Sequence, residues 1–233
     1  MENKLDFETF VFISSKKIII SVLSKNNQKV YDKEFKLDQN SETLNFEELD
    51  YFLNQNIFKI EKNIRNFVKK INIILESEIF FSTEISLKKI DYENLINFKT
   101  LNYLLSEAKD CCKKTIGERK IIHMIINNYQ INDKSYQFMP SKINSNIFSI
   151  DVKFICISTH LIRSLEKVFK KYQISLGQVV SANYVKKFLD QDEKDIIVMA
   201  KKIMNGYNSN EVLIVDKSSK NQGFFEKFFN FFN

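Results

Sequence analysis

The sequence predicts an α/β protein of α+β character, and three observations predict it. Short β-rich stretches open the chain, a long run of apolar residues every three or four positions follows, and a second series of strands and helices fills the middle. The opening stretches, Phe10 to Ile13, Ile18 to Leu23 and Val30 to Leu37, read as an antiparallel meander; the last alternates through Tyr31, Lys33, Phe35 and Leu37. Asn45 with Glu48 three residues on marks a helix start. Phe46, Leu49, Leu53, Ile57, Ile60, Ile64, Phe67 and Ile71 then form the stripe of one long amphipathic helix. Ile73 to Phe81 reads as a strand, and Ile85 to Ile90 alternates. A second helix carries Leu101, Leu104, Leu105, Ala108 and Cys111, and Gly117 ends it. Arg119 to Ile131 is a strand apolar on both faces, Pro140 marks a loop, and Phe148 to Ile157 is a further strand. Thr159 is expected to cap a helix bearing Leu161, Ile162, Leu165, Val168, Phe169 and Tyr172. Gly177 is expected to make a turn into a short helix ending near Leu189. A last helix runs from Glu193 to Asn205 and stops at Gly206.

The 233 residues allow one large domain or two small ones, and 44% hydrophobic with 27% charged residues is ordinary globular usage. Lys, Asn, Ile and Phe dominate, a skew that reads first as the codon bias of an AT-rich genome. Phosphate-cradling loops need glycines close together, yet Gly117, Gly177, Gly206 and Gly223 stand far apart. A net charge of +6 would suit a polyanion, but the 35 Lys+Arg are spread among 29 acids and only Arg65, Arg119 and Arg163 are arginine. Nucleic acid is therefore not an expected partner. Three cysteines without a CxxC pair fit a reducing cytosol. The start, MENKLDFETF, lacks the apolar core of a secretory signal, and no run reaches the roughly 18 apolar residues of a spanning helix.

Residues that carry chemistry elsewhere read here as structural. His123 lies in an apolar strand, where a hydrogen-bonded packing role is expected, and His160 falls at an exposed helix start. Adjacent Cys111 and Cys112 point about 100° apart on a helix and suit neither chelation nor a disulfide. Glu47-Glu48 and Asp190-Asp192 complement a helix dipole and a solvated linker. There is no GxSxG, Walker or dinucleotide motif. The expectation is a protein that is not an enzyme and holds no cofactor or metal.

Residues 215–222, polar from Asp216 to Gln222, read as a linker. Beyond it, on a helix of Gly223 to Asn233, Phe224, Phe225, Phe228, Phe229, Phe231 and Phe232 fall within about 160° of arc, with Glu226, Lys227 and Asn230 opposite. So short a helix needs an apolar surface to lie on. The readings are a membrane interface, the protein's own surface, or a partner's groove. For the membrane, roughly 1 kcal/mol for each half-immersed Phe gives about 6 kcal/mol before ordering costs, and Lys217, Lys220 and Lys227 add attraction to anionic lipid.

Several of these segments together resemble FtsA, the actin-like bacterial division protein that ties the FtsZ ring to the membrane. They are IFFSTEISLKKI at 79–90, LNYLLSEAKD at 101–110, KIIHMIINNYQIND at 120–133, FSIDVKFICIS at 148–158 and the stretch from Ile162 to Leu189. The match lies chiefly in the family's 1C subdomain, with the strands before Ile79 similar to the start of 1A. FtsA likewise ends in a linker and a short membrane-targeting helix. The departures are as informative. Where FtsA has a phosphate loop of the form DIGTSK, this chain has FISSKK at 12–17, in which Lys17 alone corresponds. The counterpart of DIGGGTTD is VDKSSKN at 215–221, keeping Asp216 and no glycine. There is no room for the 2A and 2B subdomains.

The resemblance implies a partial actin-like 1A layer, an FtsA 1C-like subdomain and a short C-terminal amphipathic helix. The domains expected are 1–78 (1A-like), 79–189 (1C-like), 190–214 (a closing helix and strand), 215–222 (linker) and 223–233 (membrane-targeting helix). The function implied is a nucleotide-free, peripheral adaptor on the cytoplasmic side of the inner membrane at the division site. Its partners would be division proteins, FtsZ or later components, and further copies of itself. A PilM-like adaptor, which binds the cytoplasmic tail of a pilus-assembly membrane protein, is the alternative within the superfamily, as is a degenerate actin-like ATP-binding protein.

Overall fold

The computed structural model describes residues 7–37, 44–90, 98–132, 134–140 and 145–213. It is a mixed α/β protein whose chain divides into two compact units. The first comprises Met1–Phe80 and Ser158–Tyr207, the second Phe81–Ile157 and the residues from Asn208.

In the first unit, β1 (Glu8–Ile13), β2 (Lys17–Leu23) and β3 (Lys29–Lys36) form the expected antiparallel meander. β4 (Lys70–Leu75) lies parallel to β1, and β9 (Ser175–Ser181) parallel to β4, giving the order β3-β2-β1-β4-β9. Phe10 to Ile13 and Ile71, Ile73, Ile74 and Leu75 are all buried, because central strands covered on both faces favour apolar residues at successive positions. β3 alternates because it is an edge.

The helix α1 (Phe46–Ile64) starts where the sequence predicts: Asn45 Oδ1 accepts hydrogen bonds from the Glu47 and Glu48 N–H groups at 3.0 and 3.2 Å. It ends earlier than the stripe suggests. Arg65 turns left-handed at φ 52, Phe67 is 75% exposed, and Ile71 belongs to β4. The apolar spacing continues only because the strand's first residues fall in register with the helix. Helix α3 (Thr159–Lys170) is preceded by Ser158, not Thr159, at the cap position, and Ser158 makes no side-chain capping bond. Its far end clamps α1: the Tyr172 hydroxyl lies 2.8 Å from both the backbone oxygen and Oδ1 of Asp50, and Lys171 Nζ is 2.6 Å from Asp50.

Gly177 is not a turn. β9 has two residues, Gly177 and Gln178, opposite the single Asn72 of β4, a bulge that Asn72 Oδ1 secures by accepting the Gln178 N–H at 3.0 Å. After β9 come a short helix, α4 (Ala182–Val185), a 3-10 turn (Lys186–Phe188) and α5 (Ile196–Met204). The residues from Ser158 to Leu189, grouped by sequence with the segment from Ile79, thus return to the first unit, because β9 completes its sheet beside β4.

Asp195 caps α5 through the Ile197 and Val198 N–H groups and meets Lys29 at 2.6 Å. Burial raises the Asp195 carboxyl, but the Lys29 bond and charge with the two N–H donors outweigh it and hold the group below its ordinary value. A depressed value means stability that is fully present above the ordinary carboxylate value and lost only as pH falls below it, through the depressed one. Asp195→Asn is therefore expected to cost about 1 kcal/mol near neutrality and progressively less as pH falls below the ordinary carboxylate value, read by urea unfolding at neutral pH and at about pH 2. An unchanged difference at low pH would rule this coupling out.

The second unit has the sheet order β5-β8-β6-β7. β5 (Phe81–Ile90) and β8 (Ile147–Ser158) form a ten-pair antiparallel ladder, and β6 (Arg119–Ile131) turns through Asn132 at φ 53 into β7 (Lys134–Tyr136), a strand absent from the sequence reading. Helix α2 (Phe98–Thr115) places Leu101, Leu104, Leu105, Ala108 and Cys112 in a core with Met124, Ile126, Tyr129, Phe148, Val152 and Phe154. Asn210 and Val212 return to β6, bonding Ile126 and Met124. The opposite face of the sheet carries a polar ladder across all four strands: Ser86 to Asp151, Asn128 to Asp151, and Ser135 to Asn128.

Candidate functional site

The place to look for retained phosphate chemistry is the turn FISSKK between β1 and β2, and there the chain satisfies itself. Ser14 N–H donates to the Lys17 carbonyl at 2.9 Å, while Ser14 Oγ accepts from the Lys17 N–H at 3.1 Å and the Lys16 N–H at 3.3 Å. The Lys16 carbonyl accepts from Leu37, and Lys17 Nζ is held 2.9 Å from Glu34 on β3. The turn is a tight ST-type hairpin, stable because a serine stands where a flexible loop would need glycine. The N–H groups of Lys16 and Lys17 and the Lys17 ammonium all have partners within the chain.

The second candidate loop, 215–221 with Asp216, lies outside the described residues. So does the predicted membrane-binding set, Phe224, Phe225, Phe228, Phe229, Phe231, Phe232 and Lys227, together with Lys217 and Lys220.

The remaining candidates serve packing. His123 is buried, with Nδ1 2.6 Å from Oε1 of equally buried Glu211; a carboxylate only accepts, so Nδ1 donates. Glu211 lies 88 residues away in sequence and carries no local signal that pairs it with the histidine. His160 is exposed near the start of α3. Burial, then the neighbouring Cys112, pushes the Cys156 thiol up to about 12, which leaves it protonated and a poor nucleophile. Glu47 and Glu48 occupy the first turn of α1. Asp190 closes its own loop by accepting the Asp192 and Glu193 N–H groups. Among the described residues no cluster of three or more His, Cys, Asp or Glu could hold a metal, and no helix is long and apolar enough to cross a membrane.

On α1, Tyr51 and Phe58 are exposed seven residues apart, two turns along one helix face, Phe58 at 74%. The sequence reading passed over them because it followed the buried stripe.

No protein-family model matches the chain, and no curated protein matches it. Solved structures do. The cytoplasmic domain of EpsL, an inner membrane component of the type II secretion system of Vibrio cholerae, is 10% identical, covering 77% of this chain and 59% of that one, with a TM-score of 0.38. A Bacteroides thetaiotaomicron protein of actin-like ATPase fold and unknown function is 16% identical, covering 79% and 56%, with a TM-score of 0.31. A PilM-PilN type IV pilus biogenesis complex gives 9% identity, 76% and 48% coverage and a TM-score of 0.44. The chain spans about half to three-fifths of the length of these structures. The likeness is partial.

Proposed function

We propose that the chain is a non-enzymatic adaptor with an actin-like body, akin to PilM, working at the cytoplasmic face of a membrane and binding the cytoplasmic part of a pilus- or secretion-assembly protein. The observation that carries the nucleotide-free part of this reading is the self-closed turn at Ser14 to Lys17, which uses on its own hydrogen bonds the donors that a phosphate loop would turn toward nucleotide. The membrane part rests on the phenylalanine stripe of residues 223–233.

Two measurements on the full chain test the two parts. Labelled ATP is expected not to bind, and a micromolar dissociation constant would overturn the nucleotide-free reading. Anionic vesicles are expected to pellet the protein, and Phe228→Asp with Phe229→Asp to weaken that binding at least about tenfold without altering the melting curve. Equal pelleting of both would remove the tail as the anchor.

A second reading, an FtsA-like adaptor of cell division, is favoured by that tail, since a PilM-type role does not require it. Co-sedimentation with FtsZ polymers is its test: tail-independent binding to FtsZ supports division, and its absence leaves the pilus- and secretion-type reading.

A further inference from the structure

Along the outer edge of the second unit's sheet, β5 has β8 on one side and no hydrogen-bonded neighbour on the other among the described residues. It is ten residues long, pairs without a register shift, and contains no proline. Such a strand presents a row of backbone donors and acceptors to any extended segment. Lysine on an edge ordinarily discourages pairing, and β5 carries Lys88 and Lys89. It also carries Glu84, and that changes which segment fits.

We propose that β5 pairs with β5 of a second copy of this chain, antiparallel about a two-fold axis through Ser86, joining two four-stranded sheets into one. A two-fold axis perpendicular to a continuous sheet makes each residue oppose one of the same facing. Of the registers that satisfy this, the one centred on Ser86 sets Glu84 of each copy opposite Lys88 of the other, twice. It sets Ile85 opposite Leu87 on the face that already packs against the α2 core. Moving the centre by one residue in either direction breaks both charge pairs. Glu84 and Lys88 are exposed, and among the described residues Glu84 meets Asn127 at 3.0 Å and Lys153 at 3.9 Å. The strand thus carries a charge pattern complementary to itself, the signature of an isologous contact. This inference does not depend on the adaptor reading.

The test is sedimentation equilibrium of the full chain and three variants. The wild-type chain is expected to dimerise. Glu84→Lys and Lys88→Glu each set like charges opposite and are expected to raise the dimer dissociation constant about tenfold or more. The double variant restores opposite charges and is expected to return to within about threefold of wild type. A wild-type monomer at all concentrations, singles that dimerise like wild type, or a double no better than the singles would each overturn the proposal. Because both positions are exposed, melting curves recorded at concentrations below the wild-type dimer dissociation constant are expected to coincide, which separates lost pairing from lost folding.

Discussion

Gly177→Ala is expected to be the most damaging conservative change in the first unit, lowering stability by about 3 kcal/mol in urea unfolding. A Cβ built at Gly177 would collide with Asn72 Oδ1 and lie 2.8 Å from Lys70 Cε and 2.9 Å from the Ile71 carbonyl. The lysine can swing away. The Ile71 backbone cannot, because it is bonded into β4, and displacing the Asn72 amide forfeits the bond that secures the Gln178 N–H. The expected loss is thus overpacking with an orphaned bulge donor. A change under about 0.5 kcal/mol would mean that the bulge relaxes freely and does not hold β9 to β4.

Glu211→Ala is expected to cost the second unit a comparable amount, about 3 kcal/mol, seen as a melting temperature lower by roughly 6–12 °C. The substitution leaves the buried His123 ring facing a space where its acceptor stood. It also loosens the segment whose Asn210 and Val212 bond to β6. Glu211→Gln keeps an acceptor oxygen and is expected to lose only about 1 kcal/mol. If alanine and glutamine behave alike, the hydrogen bond is not what holds this segment.

Local physics was legible in the sequence and distant pairing was not. Asn45, the both-face apolar run of β6 and the stripe of α2 each declare themselves within a dozen residues, and each stands where expected save that Cys112, not Cys111, ends the buried stripe of α2. Gly177 was misread because glycine in a short apolar run signals turn and bulge alike, and only the presence of Asn72 across the sheet decides between them. The partner of His123, and the return of β9 to the first sheet, involve residues about 90 to 110 apart, beyond any periodicity. Phe67 was hidden by the opposite error, an apolar spacing taken as burial. The candidate phosphate turn was legible as a loss of glycine and acid, but its self-closure by Ser14 required coordinates.

The split path of the first unit also has a consequence during synthesis. β4 emerges from the ribosome roughly a hundred residues before β9, the distance separating Asn72 from Gln178. Until then its Ile71, Ile73, Ile74 and Leu75 border an unfilled position in the sheet. Slow loop closure and an apolar open edge coincide in that interval. The nascent chain is therefore most in need of chaperone protection while residues 81–157 are being made, and that need ends when β9 docks.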